Sequence, residues 1–161
     1  SMNPATHALL PVIATRLSVG KATWLGRWGL AFIGLAGALP DLLSPHLSLA
    51  ARMSGWSHGL PFWSALTIGL IIGSLLSRGR FPTRLALACS AAYLLHLFCD
   101  VISGGINWGY PVADRIWGAY WVDPILWVPL DILCLLTCYA IFRLIPHWKA
   151  RRVQKNAAPQ S

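Results

Sequence analysis

Long apolar stretches separated by short polar or basic segments dominate this chain. A helix needs about 20 apolar residues to cross a bilayer, and four stretches approach or reach that length: residues 27–43, 60–77, 85–103 and 120–142. A shorter apolar piece, residues 3–19, is interrupted by Pro11 and predicts a re-entrant or interfacial helix. The predicted fold is therefore all-α: a polytopic membrane helix bundle with about four transmembrane helices and a short N-terminal helix.

Composition supports a membrane protein. Of the 161 residues, 56% are hydrophobic and only 11% are charged, whereas soluble domains carry about 25% charged residues. The net charge of +8 arises from 13 Lys and Arg against five Asp. Such a charge can signal nucleic-acid binding, but here the basic residues lie between apolar stretches, as in cytoplasmic loops of membrane proteins. No specific nucleic-acid partner is expected.

The distribution of arginine and lysine predicts an orientation in the membrane. The segment before Arg27, the turn from Arg78 to Arg84 and the C-terminal tail would face the cytoplasm. With four spans, the loops at 41–59 and 100–123 would then lie on the periplasmic side of a bacterial inner membrane. We expect one membrane-embedded domain, residues 1–148, and a basic, disordered cytoplasmic tail, residues 149–161, that binds anionic lipid headgroups.

Imidazole and carboxylate side chains gather on that predicted periplasmic side. His96 and Asp100 are four residues apart, so on a helix they share a face. Asp41, His58 and Asp123 fall in the two loops or at their edges. A buried histidine paired with an aspartate, and solvated loop aspartates, are the simpler interpretation. Solvated residues would be scattered over both sides, however, so the clustering favours a functional site.

The residue types predict a metal site without thiolates. His and Asp ligands suit zinc, iron or manganese, while the four cysteines lie in apolar stretches and are expected to act as small hydrophobic residues. A divalent metal, zinc first of all, as one or two ions, would activate water for hydrolysis. His7 would join the site only if the N-terminal helix reaches the same side. The predicted metal ligands are His7, Asp41, His58, His96 and Asp100, and the candidate catalytic residues are His58, Asp100 and Asp123.

Several other polar residues have weaker assignments. Arg52, Asn107, Tyr110 and Arg115 are candidate contacts to a substrate headgroup. Asp131 lies inside the last apolar stretch, where a hydrogen bond between helices is a commoner role than metal binding.

Short motifs along most of the chain resemble the YdjM-like family of inner-membrane proteins, which is also called LexA-binding. The motifs are Thr6-His7-Ala8, Leu39-Pro40-Asp41, Gly55-Trp56-Ser57-His58, His96-Leu97-Phe98-Cys99-Asp100 and Val122-Asp123-Pro124. The resemblance implies a membrane-bound metal-dependent hydrolase. One departure concerns the third family motif, whose His-Arg pair aligns with Met53-Ser54 here. The histidine ligand and the arginine cation of the family motif are thus replaced here, and Arg52 is the nearest substitute for the cation.

The order of histidines and aspartates is also partly similar to the zinc-dependent phospholipase C and single-strand nuclease superfamily, which favours phosphoester cleavage. The expected function is hydrolysis of a membrane lipid or lipid-linked substrate. A lipid ester or amide hydrolase, and a non-catalytic membrane scaffold acting through the basic tail, are alternatives. A proton relay or transporter using Asp100, Asp123 and Asp131 is disfavoured because no inverted repeat is visible.

Overall fold

The fold is helical, with a small two-stranded element near the candidate site. A computed structural model describes residues 4–44 and 55–157. Its α-helices are α1 (Pro4–Val19), α2 (Gly29–Leu43), α3 (Leu60–Leu76), α4 (Thr83–Ile102), α5 (Trp127–Tyr139) and α6 (Ile145–Ala157). A π-helical turn, Ala140–Leu144, joins α5 and α6 into one continuous helix. Short 3₁₀ turns cover Thr23–Leu25, Trp56–His58 and Pro124–Leu126.

Helix α4 is the central element of the bundle. It packs against α2 and α3, while α2 packs in turn against α1, and α5 contacts α1. The core between α2 and α4 is built from Ile33, Leu85 and Cys89, and a second cluster around Tyr93 and Leu97 lies nearer the C-terminal end of α4. The second cluster thus lies next to the segment of α4 that carries His96 and Asp100.

A glycine lets α1 and α2 approach closely. A Cβ at Gly37 would overlap the carbonyl oxygen of His7 and lie 2.8 Å from Pro11 Cγ. Small residues at such contacts are typical of membrane helix pairs, whose association depends on close packing. The same contact brings the N-terminal turn of α1 beside the middle of α2.

Among the described residues, two helices are long and apolar enough to cross a membrane: Thr83–Ile102 and the continuous helix Trp127–Val153. The predicted helices at 3–19, 27–43 and 60–77 form, but α1, α2 and α3 have only 16, 15 and 17 residues. Length and composition therefore do not support the expected four spans. These three apolar stretches have only 17 or 18 residues themselves, and each helix is one or two residues shorter.

The loop after α4 departs from the all-α prediction. Strands β1 (Ile106–Asn107) and β2 (Ile116–Trp117) pair antiparallel, with Ile106 opposite Trp117 and Asn107 opposite Ile116. Gly118, directly after β2, lets the chain pass close to the end of α4, since it has a φ of 106° and a Cβ there would overlap the carbonyl oxygen of Val101. Because this segment is extended, the last helix begins at Trp127 rather than near Tyr120.

The C-terminal segment also differs from its prediction. Instead of becoming disordered at residue 149, the chain continues as α6 through Ala157. Alanine, arginine, glutamine and lysine in this segment all have high helix propensity, so the helix from α5 propagates into it. Lys149, Arg151 and Arg152 are exposed, as expected for a basic tail.

Candidate metal centre

Four ligand-type side chains from three separate elements converge in the bundle. Asp41 comes from the last turns of α2, His58 from the Trp56–His58 turn, and His96 and Asp100 from successive turns of α4. One ligand atom from each of them can be chosen so that all four lie within 4.8 Å of one another. The structure thus brings together four of the five predicted metal ligands.

The nitrogen–oxygen distances in this group leave room for a cation. His96 Nε2 lies 3.3 Å from Asp100 Oδ2 and 3.6 Å from Asp41 Oδ1. His58 Nε2 lies 3.5 Å from each of the same two oxygens. These distances exceed the usual length of an N–H···O hydrogen bond, about 2.7–3.2 Å. A tetrahedron with zinc–ligand bonds of 2.0–2.1 Å has edges of about 3.3–3.4 Å, close to these four separations.

A backbone carbonyl fixes the orientation of His96. Its Nδ1 lies 2.7 Å from the carbonyl oxygen of Gly37, which can only accept a hydrogen bond. Nδ1 must therefore carry the proton, and in the neutral ring the lone pair resides on Nε2, the atom that faces both carboxylates. A carbonyl partner of this kind is a regular feature of metal-binding histidines.

A serine performs the same role for His58. The hydroxyl of Ser57 donates to the carbonyl oxygen of Pro40 at 2.8 Å, so its oxygen is left to accept from His58 Nδ1 at 3.1 Å. Tyr93 donates in turn to the carbonyl oxygen of Ser57. The lone pair of the neutral His58 ring therefore resides on Nε2, which faces Asp41 and Asp100.

The group is nearly closed to solvent. The side chains of His58, His96 and Asp100 are at most 2% exposed, whereas that of Asp41 is 14% exposed and marks the opening. Burial lowers the pKa of His58 below its ordinary value, outweighing the opposing effects of Asp41 and Asp100. The neutral ring that results is the form that binds metals.

Two buried carboxylates facing two imidazole lone pairs need positive charge between them. A charge withdrawn from water is costly unless it is paired or coordinates a metal. Asp41 and Asp100 supply two negative charges, and the tautomers of His58 and His96 supply lone pairs. A divalent cation among the four atoms would satisfy all of them, so the donor set fits a metal.

His7, the fifth predicted ligand, lies directly beside the group. Its Nε2 is 3.8 Å from Asp100 Oδ1, and its ring centroid is 3.9 Å from that of His96. The side chain is only 2% exposed. Helix α1 thus reaches the side of the protein that holds the other ligands. His7 meets the oxygen of Asp100 that does not face His58 and His96, so it adjoins the four-residue group without belonging to it.

Two other aspartates lie elsewhere. Asp123 is exposed, and its Oδ1 accepts a hydrogen bond from the Ile125 amide at 2.9 Å, within its own turn. It is not a member of the four-residue group. Asp131 accepts a hydrogen bond from the Thr6 hydroxyl, which links α5 to α1. The predicted interhelical role of Asp131 is therefore confirmed, with threonine as its partner.

The predicted substrate contacts are only partly near the centre. Asn107 is buried in β1, donates to Asp114 Oδ1 at 3.3 Å and accepts from the Gly109 amide. The loop carrying Tyr110 contacts the His58 segment, because a Cβ at Gly59 would lie 2.6 Å from the Tyr110 carbonyl oxygen. The guanidinium of Arg115 instead lies 4.5 Å from the centroid of the Trp117 ring, on the exposed side. Arg52 and the Met53-Ser54 pair lie outside the described residues.

Sequence reasoning missed the residues that orient the ligands. Ser57 and Gly37 act through a hydroxyl and a backbone carbonyl, and Tyr93 contacts the backbone of Ser57. The serine directly before a ligand histidine was the one available signal. Nothing in a sequence marks a carbonyl as a partner, because every residue has one.

Fold and centre together define a helical membrane protein with a candidate metal centre of two histidines and two aspartates. The family model described as YdjM inner membrane protein matches residues 2–155. The chain belongs to that family, which confirms the family resemblance found in the motifs. The match does not bear on hydrolysis, and the similarity to phospholipase C is not confirmed. Neither the curated proteins nor the solved structures gave a match.

Proposed function

We propose that this protein is an integral-membrane, metal-dependent hydrolase that acts on a lipid or lipid-linked substrate, with phosphoester cleavage favoured. The observation that carries the proposal is the group of Asp41, His58, His96 and Asp100, whose ligand atoms lie within 4.8 Å of one another. Zinc is the favoured ion, because it is commonly four-coordinate and binds both imidazole and carboxylate. A divalent ion there would activate water as a nucleophile and polarise the bond to be cleaved.

The residues of the proposed centre would have different roles in the reaction. His58 and His96 would hold the ion with neutral rings, and Asp100 would add negative charge. Asp41, the one partly exposed member, lies where water and substrate would enter. Its carboxylate is suited to orient a water molecule or accept a proton from it. Asp123 is left out of this mechanism because its carboxylate is hydrogen-bonded within an exposed turn.

The setting of the centre supports the proposal of a lipid substrate. The ligands lie on or beside apolar helices of an inner membrane protein, so a lipid headgroup can reach them without leaving the bilayer surface. We also propose that α2 and α3 cross the membrane beside α4, with local thinning of the bilayer to match their length. The site would then face the periplasm and the C-terminus the cytoplasm, as the basic turn at Arg78–Arg84 suggests.

A structural ion in a non-catalytic scaffold is the second candidate. Four protein ligands that close a tetrahedron are typical of structural zinc sites, whereas catalytic sites keep an open position. The exposure of Asp41 favours catalysis, because this ligand can yield its position to water.

Metal analysis of purified protein tests the proposal. We expect about one zinc per chain in the wild type and none above background in a variant with His96→Ala and Asp100→Ala. His147→Ala, an exposed histidine remote in sequence from the group, is the matched control and should retain the metal. Equal, negligible metal in all three proteins would refute the centre.

An activity assay separates the two candidates. Purified protein is added to vesicles of phosphatidylglycerol and phosphatidylethanolamine, and release of phosphate esters from the lipid is measured. Cleavage that requires zinc and is lost in Asp41→Asn supports the hydrolase. Full zinc occupancy without cleavage of any lipid in a total inner-membrane extract would instead assign the ion a structural role.

A further inference from the structure

Two cavities share one lining residue, Phe142. One cavity, of about 550 Å³, lies along the last helix and is lined by Tyr139, Arg143 and His147 together with apolar residues. The other, of about 510 Å³, is an apolar groove between α1 and α2. A pocket that contains an arginine and an apolar groove therefore adjoin at the Phe142 ring.

Two arginines lie near the shared lining residue, Phe142. The guanidinium carbon of Arg16, in the last turn of α1, lies 5.8 Å from the centroid of the Phe142 ring. Arg143 lies within the candidate span Trp127–Val153. Ionisable residues in a membrane segment are costly and usually serve a function. Arg16 of α1 thus lies beside the Phe142 ring, and Arg143, the next residue after Phe142, lines the first cavity.

The backbone at this point is also unusual. Ala140–Leu144 forms a π-helical turn in the middle of the long helix, and such turns occur frequently at functional sites. Tyr139, Arg143 and His147 are four residues apart along the continuous helix, so they lie on one face and line one pocket.

The groove has the chemistry and direction of an acyl-chain site. It is lined entirely by apolar residues, among them Ala8, Val12, Leu30, Ala31 and Leu35. From Leu30 to Ala38 it follows about two turns of α2, or roughly 12 Å at 1.5 Å per residue. A chain entering at Phe142 would thus lie along α1 and α2, in a position where no other described helix covers those residues.

We propose that this double cavity binds one molecule of an anionic phospholipid, separately from the metal centre. The phosphate headgroup contacts Arg16 and Arg143, which can form charge-assisted hydrogen bonds to it. One acyl chain lies in the groove between α1 and α2. Charge complementarity at the arginines and the apolar lining of the groove together select such a lipid over a neutral one. The basic face of α6 increases the local concentration of anionic lipid but does not form the site.

Native mass spectrometry in detergent tests the proposal with dioleoyl phosphatidylglycerol and dioleoyl phosphatidylcholine as probes. We expect one retained phosphatidylglycerol and weaker retention of phosphatidylcholine. Arg143→Met should weaken phosphatidylglycerol binding about fivefold, the effect of removing one cation near a membrane surface. Arg80→Met, in the turn between α3 and α4, removes the same charge and should have little effect.

Filling the groove gives an independent measurement. Ala31→Trp should reduce phosphatidylglycerol binding, whereas Ala65→Trp, at an exposed position of α3, should not. A circular-dichroism spectrum like that of the wild type establishes that each variant is folded. Equal losses for Arg143→Met and Arg80→Met, equal binding of the two lipids, or full binding by Ala31→Trp would each overturn the proposal.

Discussion

At the scale of single residues, the position of one proton governs the candidate centre. His58 can present Nε2 to Asp41 and Asp100 only while Nδ1 carries the hydrogen, and the Ser57 hydroxyl enforces that tautomer. The hydroxyl of Ser57 has a single hydrogen, which is already donated to Pro40. The direction of the hydrogen bond to His58 is therefore determined by the backbone of α2.

Ser57→Ala tests this arrangement. The ring of His58 would lose its partner and populate the other tautomer and other orientations. We expect zinc affinity to fall about 10–100-fold, the usual effect of removing such a partner. A chelator competition titration measures the change.

The control is Ser74→Ala. Ser74 is also buried and hydrogen-bonded, to Thr83 at 2.9 Å, but it lies near the opposite ends of α3 and α4. It should lose some stability and retain its zinc affinity. Equal zinc affinity in Ser57→Ala and the wild type would contradict the role assigned to Ser57.

The sequence allowed part of the centre to be predicted at this scale. The spacing of His96 and Asp100 places them on one helix face. The clustering of imidazoles and carboxylates on one predicted side of the membrane added Asp41 and His58. Asp123 is also predicted as a catalytic residue, but a loop position shows only on which side a residue lies and not where its side chain turns. Its carboxylate is held by the Ile125 amide, a local contact that competes with any distant partner.

At the scale of elements, the crossing of α1 over α2 sets the distance between His7 and the four ligands. Gly37 stands at that crossing and also supplies the carbonyl that orients His96. One residue thus serves both helix packing and ligand orientation. A change there should affect stability and metal binding together.

Gly37→Ala should destabilise the protein by about 1–3 kcal/mol, the usual effect of overpacking. The added methyl group overlaps the His7 carbonyl and forces the helices apart. Thermal unfolding in detergent measures the stability, and zinc titration measures the loss of affinity. Gly69→Ala, in α3, is the control: a Cβ there meets nothing within 4 Å. It should be neutral or slightly stabilising. Similar melting temperatures for the two variants would contradict the close crossing.

The hydrogen bond between Thr6 and Asp131 ties the long C-terminal helix to α1. Hydrogen bonds between membrane helices contribute about 0.6 kcal/mol on average and up to about 1.7 kcal/mol. A double-mutant cycle with Thr6→Val and Asp131→Leu should give a coupling energy in this range. Asp131→Asn keeps an acceptor oxygen and should preserve most of the stability. A coupling energy of zero would show that the bond does not hold α5 in place.

At the scale of the whole molecule, the positions of the apolar helices could be predicted and their membrane crossings could not. Hydropathy located α1 to α4 and the long last helix, because these are the stretches with many consecutive apolar residues. It did not reveal the strand pair at residues 106–117, because two strands of two residues each are too short to show a periodicity. Nor did it separate α5 from the extended segment before it, since both are apolar.

The predicted orientation is tested by labelling single cysteines in a background without the four natural ones. Ala113→Cys, in the exposed part of the loop after β1, should react with an impermeant maleimide in intact spheroplasts. Arg80→Cys, in the basic turn, should react only after lysis. The reverse pattern would place the centre on the cytoplasmic side, and labelling of both sites in intact spheroplasts would exclude a crossing by α4.

The centre draws its four ligands from positions 41 to 100, so it cannot exist in a chain that is still being translated up to α3. Until the C-terminal end of α4 has left the ribosome, Asp41 lacks both His96 and Asp100 as neighbours. At the proposed centre, loading with an ion would therefore be a late event in biogenesis. In cells depleted of the metal, complete chains would accumulate whose helices have formed but are not held together by an ion.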